Sequence, residues 1–455
     1  MSDILKEIGS TVAKLRASLA EAKKDLQRIQ GLQNTLTTVL DGLWDAAEDI
    51  PFESCQPLFK EFLSLVSSGR ILSVAAQAEQ ALSSTSPSWI SSGHDYARWL
   101  GRGIAQLAVK KSSSDHSSNS KIPAEILGKS FGLGYNDDIV DQLLASLLFT
   151  QDKPMLPLVQ KLVNNLARHE QRHFLDSTLR AISKTFLPLR SDCWTESITN
   201  SDDKKTISGS AALLQALIAG ESNGMKSRLC TWLTRNPPYV STDLYRAAIA
   251  ALPIEEVQTV LEGTWTQFGD KLYIKHTPII QQQVMAQILL ICAGYTHRVN
   301  PMHVFVLARS GTHTAGTSER LASSSERVRW LGMVVGNAVS LLVDKPDMRM
   351  NFDLDEMRTE EARWYQSLIY ADDKVGSVSD LCISPPNKKP ANSKTAMVKK
   401  TAASHSATVV VKPKIVEVLE EDDDDLTPYG KPDSDPEDDD EDATLVQRNK
   451  PTAPV

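Results

Sequence analysis

The residues best suited to metal chemistry form one short segment, His169-Glu170-Gln171-Arg172-His173. It matches the pattern His-Glu-x-x-His, which on a helix places two imidazoles one turn apart around a zinc ion, with the glutamate as general base. However, Arg168 and Arg172 put two cations beside the proposed dication, and no downstream His or Glu stands in a recognisable third-ligand motif. We therefore expect a polar helix edge here. A zinc metalloprotease built on His169, Glu170 and His173 is the alternative, which metal analysis of the purified protein would distinguish.

A second candidate concerns phosphate binding. Gly128-Lys129-Ser130 matches the end of a phosphate-binding loop, but the first glycine of that loop should stand at position 123, which is Pro123. Gly132 and Gly134 lack the third glycine of a dinucleotide site and its strand-before-helix setting, so we expect a turn between helices. No G-x-S-x-G nucleophile elbow occurs in the sequence. The sequence predicts no catalytic residue, no cofactor and no metal.

A third candidate is a serine within an acidic tract. Residues 417–442 contain 15 acidic residues and a single lysine, which gives a net charge of −14. Ser434 lies among Asp433, Asp435 and Glu437, an arrangement that an acid-directed kinase favours. Phosphorylation adds about −1.5 to −2 charges and three acceptor oxygens, which a Lys/Arg pocket of a partner can bind. Either Ser434 is a docking site, or the tract only keeps the chain solvated.

The other segments differ in charge from this tract. Residues 381–416 hold seven lysines and no acid, whereas residues 1–380 carry a net charge of only −3 within a total of −8. A near-neutral body argues against a large nucleic-acid face, for which clustered Lys and Arg are the expected footprint. Lys388-Lys389 and Lys399-Lys400 are either a weak nuclear-import signal or part of a flexible basic linker.

The elements that position these residues are predicted to be helices. Apolar residues recur at alternating spacings of three and four from Leu5 to Leu43. This pattern is compatible with a coiled-coil seam, and also with an antiparallel helix pair, broken near Gly31, that packs within the chain. Strand-like stretches are short and occur at Leu272 to Ile274 and at Thr408 to Val411. Further helices are predicted over residues 140–150, 156–186, 210–219, 225–234, 241–251, 277–294, 300–309, 318–342 and 357–371.

Helices joined by short turns, with few strands, predict an all-α fold. We expect an irregular HEAT-like α-solenoid over residues 1–380, with a possible subdivision at the Ser-rich loop 111–120. Beyond it, Pro, Ser, Lys and acids dominate, and too little apolar surface remains to offset the entropy of ordering. Residues 381–416 are therefore predicted to be a disordered basic linker and residues 417–442 a disordered acidic tract. Residues 443–455 would begin a linker to a further domain.

Cysteine usage and hydropathy bear on the compartment. The five cysteines are scattered, without a C-x-x-C pair, which fits a reducing compartment. No secretory signal is apparent at the N-terminus. The longest mainly apolar run, Trp330 to Val343, falls short of the roughly 20 residues that a spanning helix needs. We expect a soluble intracellular protein without membrane contact.

One segment of the body resembles a known family. Residues 320–336 resemble the R-L-x-x-S-S-x-x-x-R-x-L-G-M signature of the telomere length regulation protein family, in its fungal type. The matching positions are Arg320, Leu321, Ser324, Arg329, Leu331, Gly332 and Met333. The tail adds Leu426-Thr427-Pro428-Tyr429 after an acidic run, then Asp433 to Glu437 and residues 448–455, which look like that family's acidic linker.

The resemblance implies a non-catalytic scaffold of the Triple-T cochaperone complex. Such a subunit supports the assembly and stability of phosphatidylinositol-kinase-related kinases with the heat-shock chaperone machinery, and thereby telomere length and DNA-damage signalling. The implied partners are the other two Triple-T subunits, the PIH-domain adaptor of the chaperone complex and the kinases themselves, in cytoplasm and nucleus. No direct nucleic-acid contact is expected. A telomeric nucleic-acid-binding protein is the alternative, and it would need a basic face on the body.

The resemblance also bears on the tail and on the length of the chain. In the family, a casein-kinase-phosphorylated serine of the acidic linker docks onto the PIH-domain adaptor. Ser434 is the candidate here, although Pro436 replaces the acid expected at +2 and Asp422 occupies the place of the serine in one form of the family. Relatives continue into another helical domain beyond the position of Val455. The sequence therefore resembles an N-terminal portion or a truncated gene model.

Overall fold

The computed structural model describes residues 2–21, 23–48, 56–83, 88–112, 121–149, 154–189, 201–220, 223–235 and 237–381. Within these ranges all regular structure is helical and no strand occurs, which confirms the all-α class. No helix in the same ranges is long and apolar enough to cross a bilayer. Residues 382–416 of the basic linker, the acidic tract with Ser434, residues 443–455 and the strand-like stretch at 408–411 lie outside the described residues. Leu381, the first residue of the predicted linker, is buried.

The helices of the first half follow one another through short connections. They are α1 (Ser2–Ala20), α2 (Leu26–Asp41), α3 (Leu43–Glu48), α4 (Gln56–Phe62), α5 (Arg70–Leu82), α6 (Gly93–Ser112), α7 (Lys121–Ser130), α8 (Asn136–Leu144), α9 (Leu156–Asn164) and α10 (Arg168–Thr185). Helices α4 and α8 each continue into a π-helical turn, at Leu63–Ser67 and Ala145–Phe149.

The second half continues in the same way. Its helices are α11 (Ser201–Ile218), α12 (Asn223–Thr234), α13 (Thr242–Ala251), α14 (Ile254–Gly269), α15 (Lys271–His276), α16 (Ile279–Val299), α17 (Pro301–Ala308), α18 (Gly311–Leu321), α19 (Glu326–Val343) and α20 (Glu360–Ser367). Short 3₁₀ turns lie at Phe131–Leu133, Pro346–Met348, Asp355–Arg358, Leu368–Tyr370 and Val378–Leu381.

The heptad-like stripe of the first forty residues packs within the chain. Helices α1 and α2 pack against each other and against α5, and the apolar positions of the stripe from Leu5 to Leu43 are largely buried between them. The break between the helices lies at residues 21–25, where the Asp25 carboxylate accepts the Arg28 amide at 3.2 Å. The prediction of a break near Gly31 is wrong, because Gly31 lies inside α2.

From α6 onward the helices form two packed layers. In one layer α6 packs on α8, α8 on α10, α10 on α12, α12 on α14, and α14 on α18. In the other, α9 packs on α11, α11 on α13, and α13 on α16. The contact between α14 and α16 joins the layers. Most of these helices thus pack against the next helix but one in the chain, which is the solenoid-like arrangement that the sequence predicts.

The Ser-rich loop falls within this row of helices. Residues 113–120 of the loop lie outside the described residues. Helix α6, which precedes the loop, packs against α7 and α8, which follow it.

Two predicted long helices are divided in the structure. The range 156–186 comprises α9 and α10, separated by residues 165–167. At this break the buried Gln171 amide donates to the carbonyl oxygens of Val163 and Leu166 at 3.1 and 3.2 Å, and so satisfies carbonyl groups at the end of α9. The range 318–342 comprises the end of α18 and α19, separated by residues 322–325.

The strand-like stretch at Leu272 to Ile274 is helical, so that prediction is wrong. The segment forms α15, whose start is capped by Asp270, since the Asp270 carboxylate accepts the Tyr273 amide at 2.7 Å. Three apolar residues do not distinguish a strand from a helical turn, and here the cap decides the outcome.

Candidate functional site

The His-Glu-x-x-His segment lies on a helix, at the first turns of α10. The Glu170 carboxylate accepts the Ala167 amide at 2.8 Å, so it caps the helix. It also lies over Gly128, where an added Cβ would be 2.4 Å from Glu170 Oε1. The His169 side chain is 73% exposed, and its Nε2 is 4.0 Å from Glu170 Oε1. Glu170 is thus held by helix capping and packing.

Among the residues that the structure describes, no group of three or more His, Cys, Asp or Glu side chains is arranged to hold a metal ion. His173 instead contacts Phe131, with ring centroids 6.3 Å apart.

The Gly-Lys-Ser segment closes α7. The Ser130 hydroxyl is buried and donates to the Ile126 carbonyl at 2.7 Å, as serines inside helices commonly do. Gly134 has φ +83° and forms the turn that leads into α8. The expectation of a turn between helices at Gly132 and Gly134 is therefore confirmed.

The segment of residues 320–333 begins with a fully buried arginine. Arg320 lies in the last turn of α18, and its guanidinium donates to the Phe268 carbonyl at 2.9 Å and to Gln282 Oε1 at 2.8 Å. Its Cζ lies 3.5 Å from the centroid of the Phe268 ring. Burial lowers the pKa of Arg320 to about 10, which still leaves it charged at neutral pH. Arg320 thus satisfies the C-terminal carbonyl of α14 and ties α14, α16 and α18 together.

The rest of the signature shapes the corner between α18 and α19. Arg329 donates to the carbonyl oxygens of Ser323 and Ser324 at 2.8 and 3.0 Å, and so closes the connecting loop. Gly332 faces Arg320, because a Cβ at Gly332 would be 2.9 Å from the Arg320 Cβ. The remaining positions are the partly buried Leu321 and the buried Leu331 and Met333. The spacing of the signature thus corresponds to one helix–loop–helix corner.

A second buried arginine fastens the chain that follows α20. We call residues 369–381 the strap. Arg246 of α13 donates through Nε and Nη2 to both oxygens of Asp373, each at 2.8 Å, and through Nη1 to Asp243 at 2.9 Å. The side chains of Arg246 and Asp373 are 5% and 0% exposed. The hydrogen bonds to Asp373 raise the pKa of Arg246 in spite of its burial. This bidentate pair is the most completely buried ion pair in the described part of the chain.

Backbone contacts hold the strap along three helices. The Tyr295 hydroxyl of α16 donates to the Asp373 carbonyl at 2.7 Å, and the Gly376 amide donates to the Ser208 carbonyl of α11 at 3.0 Å. Arg298 of α16 donates to the carbonyl oxygens of Ile369 and Ala371. The strap therefore runs back across α16, α13 and α11, in the direction opposite to the order of these helices in the chain.

Glycine permits the closest of these approaches. A Cβ at Gly294 of α16 would be 2.0 Å from the Ile369 carbonyl oxygen, closer than real Cβ atoms ever approach. At Gly209 of α11, a Cβ would be 3.0 Å from Leu381 Cγ. Leu381 is buried at the end of the strap. The strap thus ends at Leu381 beside α11 rather than at α20.

Neither the strap nor the ion pair that fastens it is apparent from the amino-acid sequence. Arg246 could be singled out from the sequence, since it is the single basic residue of the mainly apolar helix α13. A charge in such a helix requires a buried partner. Asp373 carries no such signal, because it stands in a polar segment beside Asp372 and Lys374.

Two open grooves lie on the described surface. One, of about 890 Å³, lies among α9, α11, the end of α13 and the strap, and Leu156, Gln160 and Val378 are among its lining residues. The other, of about 820 Å³, is formed by α14 and α15 and includes Glu262 and Tyr273. Both are broad and shallow, which suits contact with a polypeptide better than enclosure of a small molecule.

An apolar stripe on α16 and α17 faces solvent. Val299, Met302 and Val306 are at least 60% exposed, and Phe305 beside them is 42% exposed. Their spacing places them on one side of the short helix and of the turn that precedes it. Exposed apolar patches of this kind commonly mark protein-binding surfaces.

Comparison of the chain with protein-family models, with curated proteins and with solved structures gave no match.

Proposed function

We propose that the chain is a non-catalytic scaffold of the Triple-T cochaperone complex, in the telomere length regulation protein family. The observation that carries the proposal is the signature of residues 320–333. Its positions lie in one corner, because Gly332 faces Arg320 and Arg329 closes the loop between α18 and α19. Spaced residues that serve one corner support the resemblance more strongly than a short motif along a single helix would.

Three further features support a scaffold. The body is all-helical and solenoid-like, an architecture that presents extended binding surfaces. The stripe on α17 and the two open grooves offer places for polypeptide partners. The acidic tract with Ser434 supplies a separate docking segment. On this proposal the partners are the other two Triple-T subunits, the PIH-domain adaptor of the heat-shock chaperone complex, and the phosphatidylinositol-kinase-related kinases.

The acidic tract provides the first test. After treatment with an acid-directed kinase, the chain should bind an isolated PIH domain, and Ser434→Ala should abolish that binding, because the phosphate would supply the charge that a basic pocket recognises. Thr427→Ala is the matched control, since Thr427 lies in the same tract but is followed by proline. Calorimetric titration of each kinase-treated protein measures the effect. Unchanged binding by Ser434→Ala would contradict the proposed docking role.

A second test concerns the complex as a whole. Tagged chain expressed in cells should co-purify with large kinases of this class and with the two other subunits. A Ser434→Ala chain should retain the two subunits and lose the PIH-domain adaptor, because the tract and the body make separate contacts. Quantitative mass spectrometry of the eluates reports both. Recovery of none of these proteins would count against the assignment to the complex.

A further inference from the structure

The exposed apolar residues of α17 stand beside α14. Met302, Phe305 and Val306 are 65%, 42% and 60% exposed, and spacings of three and four residues make them neighbours on the helix surface. His303 stands one turn before Val306 on the same side of the helix. The Nε2 atom of His303 lies 3.2 Å from Glu262 Oε1 of α14. The edge of the stripe at Val306 therefore lies on the side of α17 that meets α14.

The same glutamate belongs to the open groove of about 820 Å³ that α14 and α15 form. The Glu262 side chain is 54% exposed in spite of its contact with His303. Leu272 of α15 lines the groove and is 68% exposed. Because Glu262 both lines the groove and touches α17, the groove and the stripe form one continuous surface. We call this surface the α14–α17 face, and it comprises Glu262, Asp270, Leu272, Met302, Phe305 and Val306.

The groove of this face carries negative charge. Glu262 and Asp270 line it, and both are exposed. Among the described residues that line the groove there is one imidazole, His276, and no lysine or arginine. A cationic group of a partner would therefore meet two exposed carboxylates here.

The basic residues around the face do not neutralise these carboxylates. Arg309 of α17 pairs with Asp344, and Lys271 at the start of α15 pairs with Glu319 at 3.1 Å. Lys275 is exposed on α15 but does not line the groove. The charge of the face thus favours a basic partner over an acidic one.

We propose that the α14–α17 face binds an amphipathic α-helix of a partner protein, whose apolar side is flanked by lysine or arginine. The apolar side would pack on the stripe and on Leu272, and the basic flank would meet Glu262 and Asp270. Partner helices are commonly bound through apolar residues at spacings of three and four that contact an apolar surface. Helix α14 has 16 residues, or about 24 Å, which gives room for a partner helix of four to five turns.

The same charge distinguishes this partner from two others. An anionic lipid surface would be repelled by the carboxylates of Glu262 and Asp270. A second copy of the chain, bound through the same face, would bring the same two carboxylates and no lysine or arginine of its groove. A basic helix supplies both the apolar contact and the opposite charge.

Photo-cross-linking of the full chain to a synthetic helix tests the proposal. The probe is a peptide of about 18 residues, or about 27 Å as a helix, with leucines at spacings of three and four and lysines elsewhere. One leucine is replaced by photo-leucine, and peptide mass spectrometry locates the cross-links. We expect them within residues 259–277 and 299–306. Because each cross-link is assigned to a segment, binding of the lysines to the acidic residues 417–442 is scored separately.

Loss of the apolar stripe should weaken this contact. Met302→Ser/Val306→Ser should lower the cross-link yield at the face about tenfold, because exposed apolar anchors supply most of the binding free energy of such an interface. The matched control is Leu26→Ser/Leu189→Ser. It removes two leucines elsewhere that are 49% and 50% exposed, and it should leave the yield unchanged.

Loss of the two carboxylates should have a smaller effect. Glu262→Gln/Asp270→Asn should lower the yield about threefold, since ion pairs at the rim of an interface contribute modestly. Glu7→Gln/Glu125→Gln makes the same charge change at exposed positions of α1 and α7, and it is the control for this variant. A probe with glutamates in place of the lysines should cross-link weakly to the natural chain.

Four results would overturn the proposal. The first is an unchanged yield in Met302→Ser/Val306→Ser, and the second is equal cross-linking by the lysine and glutamate probes. The third is a dimer in sedimentation that the serine substitutions dissociate, and the fourth is binding to anionic lipid vesicles that the same substitutions abolish. The proposal does not rest on the assignment to the cochaperone complex, so its failure is separate from failure of the proposed function.

Discussion

The buried ion pair of Arg246 and Asp373 fixes the position of the strap against α13. Two charges with almost no exposed surface are tolerated because the guanidinium and the carboxylate satisfy each other with two hydrogen bonds. Arg320 solves the same problem differently. It has no carboxylate partner among the described residues and uses a backbone carbonyl, an amide oxygen and an aromatic ring. In both cases the buried charge orders a connection between helices that apolar packing alone would leave less specific.

Removal of the Asp373 carboxylate should destabilise the protein, because a buried charge loses its partner. Asp373→Ala removes the bidentate carboxylate partner of the buried Arg246, and we expect the free energy of unfolding to fall by roughly 3–5 kcal/mol. Urea denaturation followed by circular dichroism measures the change. The control is Asp372→Ala, whose exposed pair with Lys204 is worth about 1 kcal/mol or less. Equal effects of the two substitutions would contradict this account.

His313 should make stability depend on pH. Its ring lies beside Trp265, with ring centroids 4.9 Å apart and ring planes tilted by 59°, and burial lowers its pKa. The unfolded imidazole has a pKa of about 6.5, so the unfolded state takes up the proton first as the pH falls. The contribution of neutral His313 is therefore present above about pH 6.5 and lost below it. Thermal midpoints between pH 7.5 and 5.5 should fall more steeply for the natural chain than for His313→Gln, and parallel profiles would be inconsistent with this role.

At the scale of elements, the strap is distinctive because it has little regular structure of its own. Polar contacts to α16, α13 and α11 hold it, together with a few buried side chains such as Val378 and Leu381. Its path requires that helix backbones carry no side chain where it crosses them. Gly294 is the tightest of these crossings.

Substitution of that glycine should loosen the strap without unfolding α16. A Cβ at Gly294 would meet the Ile369 carbonyl at 2.0 Å, and backbone cannot yield as a flexible side chain can. Gly294→Ala should therefore speed amide hydrogen exchange across residues 369–381 while α16 stays protected. Gly31→Ala is the control. Its Cβ meets nothing within 4 Å inside α2, so it should stabilise the protein by about 0.5–1 kcal/mol. Unchanged exchange in the strap would refute the steric argument.

At the scale of the molecule, the strap belongs to the folded body, because it packs against α16, α13 and α11. The composition of residues 382–442 predicts that they are disordered, so residues 1–381 should unfold at the same temperature as the full chain. Residues 1–368 should unfold at a clearly lower temperature, because Arg246 loses its partner and α11 loses the buried Val378 and Leu381. Scanning calorimetry of the three proteins provides the comparison. Identical midpoints for residues 1–368 and 1–381 would show that the strap adds no stability.

Apolar periodicity was a good guide to which segments are helical and a poor guide to where they end. The predicted range 277–294 corresponds to α16 and 300–309 to α17, because long apolar runs leave no other way to bury the backbone. The ends depend on single polar contacts, such as Gln171 with the carbonyls of α9 and Asp270 with the start of α15. Such contacts involve residues whose types are common in any helix, and periodicity does not reveal them.

Composition and periodicity thus determined by themselves that this chain has an all-α body, because burial of apolar stripes is a local requirement that each helix meets with its neighbours. The pattern at residues 320–333 was likewise recognisable in the amino-acid sequence. Only the tertiary structure decided that Glu170 caps α10 and packs on Gly128, and that Arg320 is buried. The same holds for the strap, which crosses three helices and brings Asp373 to Arg246. These outcomes join residues as far as 127 positions apart. The choice of a partner at that separation depends on the folded path of the backbone and not on local spacing.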